Sequence, residues 1–355
     1  MTFLRNAWYV AMWSQDLGEA PQPRRILDEP LVFFRTADGK LCALTDACPH
    51  RQAPLHLGKI VGDRLRCQYH GLEFDTSGAC VRNPHASGRI PPNAKVRAYP
   101  VVEKHTLVWV WMGESAADPL TIPDFSLFDT ADPATVSRKE WMRMKAHYYR
   151  IVENLLDLSH ATVLHEGVLG NEEMIPAKVS VEQNGATLNV SRLNENVPPP
   201  QLYNLLFKRD DAPVDIWASI LWHAPSNLLN DTGATSPGGK RADGTGVFGA
   251  HFLTPETETT TLYHFAAVRQ NPRTWGEPID SELRALLSEL RHEAFDVQDR
   301  VMIEGQQRNM DDPAIDKERP IFLEVDAGPT RFRRIMDELL RQDREVASIP
   351  ASAAE

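Results

Sequence analysis

What most restricts the fold of this chain is a pair of short loops, "CPHRQAPL" beginning at Cys48 and "CQYHGLEF" beginning at Cys67. They read Cys48-x-His50 and, after sixteen intervening residues, Cys67-x-x-His70. Any fold must bring these loops together, because two thiolates and two imidazoles in paired short spacings form a donor set that can close a metal site. A structural zinc is one reading, but a zinc finger puts both cysteines first and both histidines last. Here each loop offers one of each. That division suits a [2Fe–2S] cluster, with Cys48 and Cys67 on one iron and His50 and His70 on the other.

The rest of the sequence sets the surroundings. A length of 355 residues suggests about two domains. The net charge of -11, with no long run of Lys or Arg, argues against a nucleic-acid groove or an anionic membrane patch. No apolar stretch reaches the ~18–20 residues of a membrane span. The opening "MTFLRNAWYVAMW" lacks the basic start and small-residue cleavage site of a signal peptide. Four cysteines are too few for a disulfide framework, so a cytoplasmic setting is expected. Residues 1–115 read as β-rich, with a hairpin signal at Asp38-Gly39 and a strand in "LVWVWMG" ended by Gly113. The small, acidic, proline-bearing "GESAADPLTIPDF" suggests a boundary, giving domains 1–118 and 119–355. Beyond it, 140–165 and 280–308 read as helical, while 187–193, 215–224 and 247–270 alternate like strands. The Gly-rich 235–246 reads as a surface connection, and "PTRFRRIMDELLRQDREV" as an amphipathic helix. The expected class is α+β, with an all-β N-terminal domain first.

A second constellation lies in "NLLDLSHATVLH", residues 154–165. Two histidines and one carboxylate leave open positions on a ferrous ion for oxygen beside a substrate. His160 and His165 supply the imidazoles. Asp157 or a distant acid supplies the carboxylate. On an ideal helix Asn154, Asp157 and His160 share a rough stripe, while His165 points about 140° away from His160. The helix is therefore expected to bulge or break near 161–164.

Together these motifs resemble the oxygenase component of a Rieske non-haem iron oxygenase. The segments "RNAWYVA", "CPHRQAPL", "CQYHGLEFD", "ENLLDLSHATVLH" and "FLTPET" are most similar to the aromatic O-demethylase branch, of vanillate and dicamba type. The resemblance implies a Rieske [2Fe–2S] domain and a helix-grip-like α+β catalytic domain built on an antiparallel sheet and holding a mononuclear Fe(II). Ala53 and Tyr69 stand where respiratory Rieske proteins carry an additional disulfide, and Leu72 follows Gly71 in place of a serine. A potential toward the low end of ~-150 to +300 mV is therefore expected.

The family draws its third iron ligand from a later helix. In "HEAFDVQDRVMIEGQQ" the candidates are Asp296, Asp299 and Glu304, with Asp299 favoured and Asp296 next. The resemblance makes Asp157 a bridge between His160 and the partner subunit's His70, in a homotrimer. Asn154 would tune the open coordination face. Asn230 and His251 would face an aromatic carboxylate, with His251 able to carry positive charge. Leu290 stands where the dicamba branch has a tryptophan, which leaves vanillate-type methoxybenzoates open. The implied activity is O-demethylation of a methoxylated aromatic acid. It would use O2 and electrons from NAD(P)H, delivered by a separate reductase or ferredoxin, and release a phenol and formaldehyde. Ring or methyl hydroxylation is the alternative on the same machinery. A Rieske electron-transfer protein without mononuclear iron is the alternative of another class.

Overall fold

The computed structural model describes residues 3–207, 210–315 and 321–348. The chain divides into two compact units. The first runs to Asp124 and adds Thr254–Glu258 and the chain from Gln342; the second comprises Phe125–Leu253 and Thr259–Arg341. Two returning segments thus join the first unit.

The first unit is built from three small antiparallel sheets. In one, Glu29–Arg35 buries four consecutive apolar residues and pairs with Leu41–Thr45, Leu31 opposite Thr45 and Arg35 opposite Leu41. The hairpin turn falls at Asp38-Gly39, where Gly39 has φ +86°. In another, "LVWVW" at Leu107–Trp111 is the central strand between Trp8–Trp13 and Val101–Lys104, and all five of its residues are buried. A third is made of Lys59–Val61, Arg64–Arg66, Glu73–Phe74 and Cys80–Arg82. Its middle connection is the second Cys–His loop. Cys48 and Cys67 belong to the same core as Phe34, Leu44, Leu65 and Phe74. Under this sheet the Glu73 carboxylate is buried and paired with Arg64, Arg66 and Arg82 at 2.7–3.0 Å. Burial opposes its charge, but hydrogen bonds from Arg66 and Arg82 prevail and hold its pKa below the ordinary value.

The second unit centres on a seven-stranded sheet. Its order is Glu140–Met144, Thr260–Gln270, Thr245–Thr257, Asn227–Thr235, Val214–His223, Thr187–Val197 and Val179–Asn184. The apolar alternation at 187–193 and 215–224 marks two of these strands correctly, and 247–270 resolves into two strands joined at 258–259. Asn227–Thr235 was not apparent, because its polar Asn230, Asp231 and Thr232 hide the strand pattern. Residues 140–144 were expected in a helix and form a strand instead; their exposure alternates with period two. The helix begins only at Tyr148 and runs to Leu156, burying Tyr149, Val152, Leu155 and Leu156.

Two long helical stretches follow the sheet in the chain. Ile279–His292, Glu293–Asp299 and Arg300–Asp311 follow one another without a break, and the middle segment is wound as a π-helix. The amphipathic C-terminal helix, Ala327–Ser348, lays Phe332 against Tyr149 and Trp222, with ring centroids at 4.8 and 5.1 Å. The start of the Tyr148 helix is held from two sides. Glu304 accepts from the Lys145 N–H and Gln307 from the His147 N–H, while His147 Nδ1 caps the Tyr149 N–H.

Burial, reinforced by Arg150, lowers the His147 pKa to about 4. As pH falls below 6.5 the unfolded ring takes up a proton that the folded ring refuses until about 4, so stability is lost in that window. His147→Asn keeps a capping acceptor and removes the titration. Urea unfolding at pH 7 and pH 4.5 is expected to show the variant losing about 2–3 kcal/mol less than the parent on acidification.

Candidate metal centres

The two Cys–His loops have matching backbones. Cys48 donates its N–H to the Ala53 carbonyl and accepts from the Gln52 N–H; Cys67 does the same with Leu72 and Gly71. The fourth residue after each cysteine is left-handed, Gln52 at φ +55° and Gly71 at φ +71°. At Gly71 a Cβ would also lie 3.1 Å from Pro84. Both cysteines are buried, whereas His50 is exposed and His70 half-buried, their rings 4.4 Å apart. Burial, reinforced by Cys67, pushes the Cys48 thiol up to about 11, so a thiolate there needs a cation beside it. Partial burial, with His50 and Arg51 nearby, holds His70 below the ordinary histidine value, in the neutral form that ligation requires.

Among the described residues, His160, His165 and Asp299 bring their donor atoms within 4.8 Å of one another. The buried thiols and the more exposed imidazole pair fit a two-iron cluster with cysteines on one iron and histidines on the other. The spare histidines nearby are loop hydrogen-bonders. His85 Nε2 meets the His70 carbonyl at 2.8 Å, and His56 pairs with Asp46.

His160 and His165 are brought together by a helix break that comes earlier than expected. The Tyr148 helix ends at Leu156, and Asp157 is extended with φ -94° and ψ 96°. Its carboxylate accepts the Ser159 N–H and hydroxyl, turning the chain into a short 3-10 turn at His160–Thr162. A second turn returns from His165 to Gly170, where a Cβ would lie 2.4 Å from the Ala161 carbonyl oxygen. The two rings end 5.1 Å apart.

The carboxylate comes from the π-helical segment. Asp299 is 3% exposed, with Oδ1 3.6 Å from His160 Nε2 and 3.3 Å from His165 Nε2. Asn154 donates to the same oxygen at 2.9 Å. Asp296 and Glu304 are engaged elsewhere, both with Arg300. Each ring's far nitrogen has an acceptor: His160 Nδ1 the Asp157 carbonyl, His165 Nδ1 the Gln298 side-chain oxygen at 2.6 Å. Both Nε2 atoms therefore present lone pairs toward Asp299, the arrangement a metal-binding histidine needs. Burial disfavours a charged His165, yet Asp299 and Gln298 raise its pKa above the ordinary value, and a metal ion would displace that proton. The donor set fits a ferrous ion. Gln298 escaped the sequence reading, and its one signal was its place beside Asp299. The Asp157 carboxylate reaches only 3.9 Å from His160 Nδ1 and is one-quarter exposed.

A cavity of about 670 Å³ opens from these donors. Leu155, Ile220, Val247 and Phe295 line it, and Asn230 and His251 are among its polar residues. His251 is buried and its pKa is lowered to about 4, chiefly by desolvation, so at neutral pH the ring is uncharged. Burial keeps Tyr263 protonated, and its hydroxyl donates to His251 Nδ1 at 2.6 Å. His251 Nε2 and Asn230 Oδ1 have no protein partner.

A Cys–His loop pair in an all-β unit, followed by two histidines and an aspartate beside an antiparallel sheet, defines the class: the chain belongs to the Rieske non-haem iron oxygenases. The Rieske [2Fe-2S] domain family matches residues 7–100, and the vanillate O-demethylase oxygenase C-terminal domain family residues 144–342. Within that family, the chain is 36% identical to the dicamba O-demethylase oxygenase component of Stenotrophomonas maltophilia, covering 96% of this chain and 98% of the relative. It is 33% identical to the chloroacetanilide N-alkylformylase oxygenase component of Rhizorhabdus wittichii, over 99% of each. The crystal structure of dicamba monooxygenase bound to 3,6-dichlorosalicylic acid superposes with a TM-score of 0.88 at 34% identity, covering 98% of this chain and 100% of that one.

Asp299→Ala is expected to lower iron content from about three atoms per chain to about two, leaving the cluster's absorption intact. Asp296→Ala is expected to keep all of it. Metal analysis of both variants checks the assignment, and full iron in Asp299→Ala would refute it.

Proposed function

We propose that this chain is the terminal oxygenase component of a multicomponent monooxygenase that O-demethylates a methoxylated aromatic acid. The observation that carries the reading is the His160, His165 and Asp299 donor set at the inner end of a mostly apolar cavity. In this reading residues 1–118 hold the [2Fe–2S] cluster through Cys48, His50, Cys67 and His70, and residues 119–355 hold the iron.

When bound, the cluster and the ferrous ion supply electrons and an open coordination site at which dioxygen is reduced. Electrons originate in NAD(P)H and arrive through a separate reductase or ferredoxin. The chain's own residues do the rest. Asn154 fixes the Asp299 carboxylate, and Gln298 and the Asp157 carbonyl fix the two rings. Apolar walls exclude water, and His251 and Asn230 offer hydrogen bonds to substrate polar groups. Hydroxylation of the methoxy carbon gives a hemiacetal that collapses to a phenol and formaldehyde. Dioxygen, two electrons and two protons balance as the inserted oxygen and one water.

The reading includes a homotrimer in the cytoplasm. Asp157 spans from His160 to the partner subunit's His70, as its partly exposed carboxylate allows. Similarity to the chloroacetanilide enzyme favours a second reading, oxidative removal of an N-linked alkyl group, on the same residues. Ring or methyl hydroxylation would yield no formaldehyde.

A methoxybenzoate screen with a surrogate reductase and NAD(P)H tests the proposal: formaldehyde and a phenol in equal amounts support it, and a ring-hydroxylated product contradicts it. Asp157→Asn is expected to keep both metal sites loaded and to lose at least about a hundredfold in turnover. Unchanged turnover would remove the bridge.

A further inference from the structure

One peptide group, between Leu158 and Ser159, lies in the turn that joins the Tyr148 helix to the iron histidines. Both of its polar ends are held. The Ser159 N–H donates to the Asp157 carboxylate at 2.8 Å, and the Leu158 carbonyl accepts from Arg192 Nη1 at 3.0 Å. The neighbouring hydrogen bonds are local. The Asp157 N–H donates to the Asn154 carbonyl, the Thr162 N–H to the Ser159 carbonyl, and His160 Nδ1 meets the Asp157 carbonyl. Arg192 reaches in from 34 residues further along the chain, on the strand Thr187–Val197.

That strand is a firm base. From Thr187 to Asn194 it runs in unbroken register with Val214–His223, and Arg192 stands opposite Ala218. Ala218, Asp157 and Leu158 line the cavity, so Arg192 lies where the sheet wall meets the histidine turn. Arg192 is 6% exposed, and among the described residues its one hydrogen bond goes to that neutral carbonyl. The acidic groups near enough to favour its charge are Tyr203, which burial keeps protonated, and Asp157. A buried guanidinium facing a carbonyl costs stability, and an apolar side chain would pack there at less cost. What the arginine contributes is electrostatic. Its positive charge sits at the oxygen end of the 158–159 peptide dipole, and the negative charge of Asp157 sits at the nitrogen end.

We infer that Arg192 is a positioning residue for the iron site, locking the Leu158–Ser159 peptide and through it the His160 ring and the Asp157 carboxylate. If that peptide rotated, Asp157 would lose the N–H that orients it, and its carbonyl would no longer be held toward His160 Nδ1. This rests on the reading of His160, His165 and Asp299 as a ferrous site.

The test compares parent and variant holoproteins, anaerobic and with the cluster oxidised, by electron paramagnetic resonance after nitric oxide is added. The ferrous nitrosyl signal reports the symmetry of the mononuclear site and needs neither substrate nor reductase. Arg192→Met is expected to change the line shape, or to lose the signal with the iron, while the urea-unfolding midpoint stays at or above the parent's. Arg192→Lys, which keeps a charged donor, should return the signal toward the parent's. On a methoxybenzoate that the parent turns over, Arg192→Met should lower kcat at least about tenfold with KM retained. Should Arg192→Met fail to fold, Arg192→Gln takes its place as a neutral donor, and its signal should still differ from the parent's. A parent-like signal in both neutral variants overturns the inference. So does a lower urea midpoint with an unchanged signal, the mark of a merely structural role. The readings beneath it fail separately: a parent without a nitrosyl signal refutes the ferrous site itself, and a parent that releases no formaldehyde refutes demethylation while leaving the signal comparison decisive.

Discussion

One oxygen atom organises the catalytic unit. Asp299 Oδ1 accepts from Asn154 and faces the Nε2 atoms of both His160 and His165. These four residues come from two separate parts of the chain. The histidines follow a helix that stops at Asp157, and the carboxylate ends a helix segment wound too wide. Both irregularities cost backbone regularity, and both aim side chains at one point that straight helices would miss. A buried carboxylate facing two imidazoles is unfavourable without a proton or a cation between them, so the donor set suits a metal ion.

The surroundings hold that geometry from outside. Gln298 sets the tautomer of His165, and the Asp157 carbonyl sets that of His160. Glu304 and Gln307, further along the Asp299 helix, hold the strand-to-helix turn that launches the histidine segment. The acid-bearing and histidine-bearing elements are therefore tied together at both ends. In the first unit the solution is simpler. Two short loops of the same backbone shape grow from one apolar core, and Glu73 with its three arginines braces the sheet that carries one of them.

The sequence shows these two sites unequally. The Cys–His loops are local, so spacing alone exposes their donors and the odd ordering that separates them from a zinc finger. His160 and His165 are legible for the same reason, and their five-residue gap foretells a helix break. The break falls at Asp157 because that side chain caps the next turn, a preference that helical angles do not register. Asp299 needed the family resemblance, since a lone aspartate on a charged helix looks like any surface acid. Gln298 and Tyr263 stayed hidden because their roles arise from contacts between strands and helices far apart in the chain. His251 is legible as a polar group, but its neutral state is not, because burial is a property of the fold and not of the residue. The strand at 227–235 was lost for a related reason: polar residues facing a cavity break the alternation that marks a strand.

The central claim is that a second, mononuclear iron sits among His160, His165 and Asp299, apart from the cluster. Mössbauer spectroscopy of the dithionite-reduced protein loaded with iron-57 tests it most directly. The account predicts the signal of a reduced Rieske pair together with a separate high-spin ferrous site, in an area ratio of about two to one. A spectrum containing the cluster pair alone, in protein whose cluster is fully occupied, would contradict it.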